Sequence, residues 1–502
     1  MAQSVDAYFE DHRESGDLGR RALRGGIVSV AMQYGNGALQ ILAAIVLARL
    51  LTPADFGLVA IITVLTSFAP LLIDFGLGDA TTQRSRITPG QISSLFWLAT
   101  GIGLAVAVVL AACSPLIAMV YRQPVLEPIA LCTSVTFVLW GLSNQHLALL
   151  RRTMQFGRIA RIQMVGTLAG IVAAIVLAFA GFGYWALVAR PIVNAACVVL
   201  GAWLACPWRP GLPAFDAEVK SMIRFGLHVV GFSVTYTVAK AVDRIALALF
   251  YRPEQVGYYQ NAITLYENSI FAVFAQVHTV GSAALSKLQS NPDALRQKYQ
   301  AALAAMAFFV MPAAAILSVT GEDVAVILLG EKWRAAGWLL RVIALRGIFQ
   351  VVEMSQGWLH LSIGRADRWR NWGIVSLAVQ IVTVLAGLPF GPTGVAVAGI
   401  VTSLLLAIPS VSYAGSPIGI GSALVIRAVG PQLIGAIGAA IGGWLLQTTA
   451  IAHWHSVSRI VASAALCACI YLGVVVGVFR RTEPMKLARS VVQERFRRQQ
   501  RH

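Results

Sequence analysis

Apolar runs of roughly 20 residues recur along nearly the whole chain, and each is closed by proline, glycine or charged positions. That run length is what a helix needs to cross about 30 Å of hydrocarbon. Reading the runs against their breakers predicts fourteen spans, near 26–50, 56–77, 91–112, 125–150, 159–180, 184–205, 222–250, 257–284, 300–320, 337–361, 372–390, 393–414, 424–447 and 457–479. The short alternating strands of an outer-membrane barrel do not occur. The predicted class is an all-α polytopic membrane protein.

The pattern also repeats. Residues 47–57 read LARLLTPADFG and residues 247–257 read LALFYRPEQVG, so that Leu47/Leu247, Ala48/Ala248, Pro53/Pro253 and Gly57/Gly257 coincide without a gap. Each copy ends one apolar run and opens the next, with Pro and Gly punctuating the same turn twice. Gly26 and Val30 match Gly226 and Val230 in the same register. Further on, the offset drifts to about 209, which sets 121–161 beside 330–370. A longer loop at 285–299 accounts for the shift. The expected organisation is a polar segment 1–25, a six-helix lobe 26–205, a linker 206–221, a pseudo-symmetric six-helix lobe 222–415, two added helices within 424–479, and a basic tail 480–502. Membrane chains built from two related halves bind cargo at the repeat interface and rock one half against the other, so the pattern points to a transporter.

Composition agrees: of 502 residues, 57% are hydrophobic and 12% charged, with a mean hydropathy of +0.72, whereas charged residues make up about a quarter of a soluble domain. The net charge of +17 would suggest nucleic acid in a soluble protein, but its placement gives another reading. With the N-terminus in the cytoplasm, cytoplasmic segments carry 28 Lys and Arg and outside loops carry 6. The positive-inside rule therefore places both termini on the cytoplasmic side of the membrane. No nucleic-acid partner is needed, and the tail suits an anionic inner leaflet. Residues 1–25 are polar and the first apolar run is too long for a signal peptide, so that run is expected to remain as the first span. The six cysteines lie mostly inside apolar runs and read as small buried side chains.

A charge at mid-membrane costs about 2.5–3.5 kcal/mol and must face a cavity or a partner. Five cations fall within spans more than three residues from either end: Arg190, Lys240, Arg244, Arg341 and Arg346. In the seventh span Ser233, Tyr236, Thr237, Lys240, Asp243 and Arg244 share one helix face. In the first span Gln33, Asn36, Gly37 and Gln40 occupy the matching positions. The tenth span carries Arg346, Gln350, Glu353, Gly357 and His360, with Asn144 of the fourth span corresponding to Glu353. Glu267, Asn268 and Asp74 add further polar groups. Two readings are open: neutralising pairs that fix helix packing, or a cavity, net positive on one side, for an anionic head group whose phosphates Arg engages bidentately. The candidate substrate-binding residues are Lys240, Arg244, Asp243, Arg346, Arg341, Glu353, Glu267, Gln33, Asn36 and Gln40; Asp243, Glu267 and Asp74 are candidates for ion coupling.

His146, His228, His278 and His360 sit singly on different spans, which predicts no metal site. There is no phosphate-binding G-x-x-x-x-G-K-[ST] motif and no nucleophile–base arrangement, so neither a cofactor nor an enzymatic activity is expected.

The stretch 47–84, LARLLTPADFGLVAIITVLTSFAPLLIDFGLGDATTQR, resembles the first hairpin of bacterial polysaccharide flippases in the multidrug/oligosaccharidyl-lipid/polysaccharide (MOP) superfamily. AVDRIAL, VGYYQNAITLYENS and ALSKLQSNPDALRQKY, within 236–298, resemble its central region, and the likeness runs over about 20–415. The resemblance implies a Wzx-type flippase, with two six-helix lobes around a central cavity and two further helices. Such a protein moves polyprenyl-pyrophosphate-linked oligosaccharide between leaflets by alternating access, for exopolysaccharide, capsule or lipopolysaccharide synthesis. It would have the lipid bilayer, a polysaccharide polymerase and glycosyltransferases as partners. The first lobe has no cation well inside a span apart from Arg190, with Arg49 at a span end, which weighs against a lipid II flippase. The competing reading is a cation-coupled multidrug exporter of the same superfamily, which would use acidic groups such as Asp74, Glu267 and Glu353.

Overall fold

The computed structural model describes residues 18–74, 77–83, 87–214, 219, 237, 241–271, 291–363 and 365–480. The segments 1–17 and 481–502, most of 215–240, and 272–290 lie outside the described residues. Expectations that rest on Ser233, Tyr236, Lys240, His228 and His278, and on much of the seventh and eighth spans, fall there.

The described chain is helical. In order it runs α1 (Leu18–Leu50), α2 (Pro53–Leu65), α3 (Ala69–Asp74), α4 (Leu77–Gln83), α5 (Pro89–Val120), α6 (Leu126–Arg152), α7 (Phe156–Phe179) and α8 (Trp185–Ala205). After these come α9 (241–250), α10 (Pro253–Tyr266) with a π-helical turn Glu267–Phe271, α11 (Pro292–Leu329), α12 (Arg334–Ile363), α13 (Ala366–Gly387), α14 (Gly391–Gly415), α15 (Ser422–Thr449) and α16 (Ser456–Leu472). Among the described residues, ten helical stretches are long and apolar enough to cross a membrane. One of these, Asp367–Ile418, joins α13 and α14, where the sequence pattern predicts two spans.

Helix starts follow the local chemistry of the sequence. Thr52 caps α2: its hydroxyl accepts from the Asp55 amide at 3.3 Å, while the Asp55 carboxylate accepts from the Thr52 amide at 2.9 Å. Pro53 occupies the first turn, where a missing N–H costs nothing. Thr88 and Gln91 repeat the same box before α5. Two orphan amides are satisfied at each helix start, which fixes where the new helix departs from the turn.

The chain divides into two compact units, residues 1–257 and 258–502. In the first, α6 packs against α5 and α8, and α7 against α1 and α8. The connection after α8 is held down: the Gly211 and Ala214 amides donate to Ser93 Oγ and Ser94 Oγ at 3.0 and 2.7 Å, and Trp97 Nε1 donates to the Gly211 carbonyl at 2.9 Å. Beside it, the buried His146 stacks on Trp203 with ring centroids 4.6 Å apart, a packing role.

Within the first unit the two copies of the repeated motif touch. Gly57 and Gly257 have no side chain because none fits. A Cβ on Gly57 would lie 2.9 Å from Pro253 Cα and closer still to that residue's carbonyl; one on Gly257 would lie 2.9 Å from the Pro53 carbonyl carbon and 3.0 Å from the Gly57 nitrogen. The contact is reciprocal, each glycine receiving the carbonyl of the other copy's proline.

In the second unit α11 packs along α12, α15 and α16, and α12 along α14. The buried carboxylate of Asp323 on α11 pairs with Arg459 of α16 and accepts from Gln447 Nε2 of α15 at 3.3 Å. Tyr471 on α16 donates to the Phe308 carbonyl at 3.1 Å. The final two helices are therefore part of this unit's core. All six cysteines are unpaired; Cys467 donates to the Ala439 carbonyl at 3.2 Å.

Candidate functional site

A cavity of about 470 Å³ opens inside the first unit, lined by residues of α1, α3, α6, α7 and α8. Its polar wall consists of Asn36, Gln40, Asp74, Ser143, Asn144, Arg151, Gln163, Thr167 and Asn194; Trp140 supplies an aromatic face. In a helix bundle surrounded by lipid, such a concentration of amides has to face water or a polar ligand.

Local packing brings these groups together. Gly170 on α7 lets the chain approach α8 so closely that a Cβ there would sit 2.6 Å from the Arg190 carbonyl oxygen and 3.3 Å from Asn194 Cβ. Small residues at a membrane helix crossing allow this approach, and one consequence is that Asn194 Nδ2 reaches Thr167 Oγ1 at 3.3 Å. On the opposite wall, Asn144 Nδ2 donates to Asp74 Oδ1 at 3.0 Å, and Asn144 Oδ1 accepts from Gln145 Nε2 at 3.2 Å. The buried Gln145 Oε1 lies 2.9 Å from the Thr81 hydroxyl, and the Thr81 carbonyl accepts from Arg152 Nη1 at 3.0 Å. These bonds hold the Asp74 and Asn144 side chains at the cavity wall.

Charge in the cavity is balanced. Asp74 is the one acid and Arg151 the one base among the described residues of its lining. Both face the space that Gly78 leaves open, since a Cβ there would be 3.1 Å from Asp74 Oδ1 and 3.7 Å from Arg151 Nη1. Asn36 Oδ1 is buried without a hydrogen-bond partner among the described residues.

Of the residues singled out by sequence, Asn36, Gln40 and Asp74 line this cavity, together with Asn144. Gln33 is exposed on α1 and is not in its lining. Asp243 is buried on α9, its Oδ1 accepting from the Arg244 amide at 2.8 Å. In the second unit Arg346, Glu353 and Glu267 gather around Tyr266: the tyrosine hydroxyl donates to Gln350 Oε1 at 2.6 Å, and Arg346 Nε donates to Ser403 Oγ at 3.2 Å. Glu353 Oε2 is buried with no hydrogen-bond partner among the described residues. Arg341 is placed differently. It donates to the Ser318 carbonyl at 3.2 Å and pairs with Glu322 at 3.6 Å, tying α12 to α11. Sequence reasoning did not pick out Arg151, Gln163, Thr167, Asn194 or Trp140. Among the described residues no cluster of three or more His, Cys, Asp and Glu converges on a point.

A family described as "Polysaccharide biosynthesis protein" matches residues 46–337, more than half of the chain. The protein belongs to this polysaccharide biosynthesis family. It is 26% identical to the lipopolysaccharide biosynthesis protein WzxC of Escherichia coli (strain K12) over 366 residues, which cover 72% of this chain and 73% of WzxC. Its fold matches a solved structure of the lipid II flippase MurJ in an inward closed conformation with a TM-score of 0.71, at 14% identity, over 90% of this chain and 99% of that one. It matches an inward-facing MATE-family transporter of the MOP superfamily with a TM-score of 0.56, at 14% identity, over 79% and 98% of the two chains. This member of the polysaccharide biosynthesis family therefore has the fold of MOP-superfamily transporters.

Proposed function

We propose that the protein is a flippase that carries polyprenyl-pyrophosphate-linked oligosaccharide repeat units from the cytoplasmic to the periplasmic leaflet of the inner membrane by alternating access. The observation that carries this reading is a polar, amide-walled cavity inside the helix bundle of a polysaccharide biosynthesis family member. A glycan on a charged carrier cannot cross hydrocarbon unaided at a useful rate, because its hydration shell would have to be stripped. A bundle that supplies polar walls for the sugar while the prenyl chain stays in lipid removes most of that barrier. With both termini in the cytoplasm, Asp74 and Arg151 sit at cytoplasmic helix ends, so the cavity is loaded from the cytoplasmic side. Lys240 and Arg244 are the candidates to hold the diphosphate, and Arg346 on α12 is a further candidate cation. Asp243, Glu267 and Asp74 are the candidates for coupling to an ion gradient, and a polymerase and glycosyltransferases are the partners on either side of the step.

The test is leaflet translocation of polyprenyl-pyrophosphate oligosaccharide in proteoliposomes, with the Lys240→Ala/Arg244→Ala double variant beside wild type. Translocation by wild type alone, with the variant folded, is expected. Normal translocation by the variant would move the diphosphate site elsewhere. A wild type that flips none of several glycans under an imposed ion gradient would favour a cation exporter instead.

A further inference from the structure

The cavity of the first unit and the cations placed in the second repeat differ in a way that separates two parts of the substrate. A diphosphate at neutral pH offers acceptors and negative charge, and needs donors in return. The cavity is built otherwise: its described lining mixes amide acceptors with amide and hydroxyl donors, and the charges among those residues cancel at Asp74 and Arg151. An anion placed there would meet the Asp74 carboxylate and the amide oxygens. A sugar hydroxyl both donates and accepts, so one ring can satisfy a carboxylate, an amide oxygen and an amide N–H at the same time.

Three further observations fit a saccharide. The Asn36 amide contributes an oxygen with no partner among the described residues, and rotation about its broad terminal torsion can present it to the cavity. Gln163 is exposed on the cavity wall and makes no hydrogen bond within the described residues that would hold it for structural reasons. Trp140 offers a ring face for the apolar C–H side of a pyranose. A volume of about 470 Å³ falls within the roughly 300–1,000 Å³ typical of small-molecule sites, room for a short oligosaccharide but not for a prenyl chain as well.

We infer that this cavity is a glycan subsite: it takes the neutral, hydroxyl-rich sugars nearest the carrier, separately from the groups that hold the diphosphate. Asn36, Gln163, Asn194 and Asp74 read the hydroxyl pattern, Trp140 stacks the ring, and Arg151 neutralises Asp74 so that the site carries no net charge. The inference rests on the flippase reading and adds the place and chemistry of sugar selection.

The experiment measures equilibrium binding to the full-length protein in nanodiscs. Two probes are used: bare polyprenyl pyrophosphate, and the same carrier bearing the repeat unit extracted from cells that lack this protein. Wild type is expected to bind the glycosylated carrier at least tenfold more tightly than the bare one. Asn36→Ala and Gln163→Ala, neither of which removes a bond that holds the fold, are expected to lose most of that difference while binding bare carrier as wild type does. Gln163→Asn shortens the reach without changing the chemistry and should fall between. Unchanged discrimination in Asn36→Ala and Gln163→Ala would overturn the subsite, and so would a wild type that binds both probes equally. Either result leaves wild-type translocation in proteoliposomes intact. Loss of the flippase reading would show instead as absent translocation by wild type, so the two failures are separable.

Discussion

Replacing Gly57 by alanine tests whether the reciprocal contact between the two copies of the repeated motif matters. The added Cβ would sit 2.9 Å from Pro253 Cα and nearer still to the Pro253 carbonyl, while ordinary contact begins at about 3.4 Å. The two backbone segments must therefore part by well over 0.5 Å. No flexible side-chain end is available to absorb the strain, because the opposing atoms are main chain. Overpacking of a close contact costs typically about 1–3 kcal/mol, and this geometry belongs at the upper end, near 3 kcal/mol. At about 1.4 kcal/mol per tenfold change in population, the touching arrangement would lose roughly a hundredfold in weight. Gly257→Ala meets the Pro53 carbonyl and the Gly57 nitrogen and should cost about as much. Either methyl forces the same separation, so the double variant should cost little more than the worse single one. Gly101→Ala, with nothing within 4 Å of the new Cβ, serves as a control and should be neutral or stabilising by up to about 1 kcal/mol. The assay is thermal unfolding of the purified protein alongside polymer export in a complemented null strain. Wild-type stability and export for Gly57→Ala would refute the reasoning, and so would penalties that simply add.

Three further outcomes are expected. Arg459→Ala leaves the Asp323 carboxylate buried with, among the described residues, only Gln447 to donate to it; losing one partner of such a pair costs about 3 kcal/mol or more, read as a lowered melting temperature that Asp323→Asn would not match. Arg341→Ala removes the bond to Ser318 and the pairing with Glu322, so it should lower stability while leaving the affinity for glycosylated carrier unchanged; a selective affinity loss in a stable variant would restore Arg341 to the binding site. Thr52→Ala removes the cap on α2 and should cost about 1 kcal/mol, measurable by the same thermal assay and absent in Thr52→Ser.

The helical fold was legible because the thickness of hydrocarbon imposes the run length and every breaker is a local feature. The matched residues Pro53/Pro253 and Gly57/Gly257 were visible as landmarks, but their meeting depends on tertiary packing, which a repeat alone does not specify. The cavity was half legible. Asn36, Gln40, Asp74 and Asn144 stand out as polar groups on apolar helices. Thr167 and Asn194 are isolated on their own helices, and only the close crossing at Gly170 unites them; small residues spaced at 166 and 170 were the available signal. Arg151 was counted as a loop cation, because a rule that uses arginine to set orientation gives no sign that the same side chain can line a cavity. Arg341 was read towards the cavity because its partner Glu322 lies on another helix, a pairing that helical spacing within one span cannot reveal.

The attachment of the final two helices has a bearing on how such chains change length over evolution. Asp323 spends its charge on Arg459 of α16, with Gln447 of α15 alongside, and the Phe308 carbonyl is satisfied by Tyr471. A chain ending before residue 422 would leave the Asp323 carboxylate on α11 without Arg459 and Gln447. A relative without the terminal pair is expected to carry an apolar or neutral residue at the position of Asp323, because an acid there would lose both partners. The identity of residue 323 should therefore follow chain length among relatives more closely than it follows the sugar they handle.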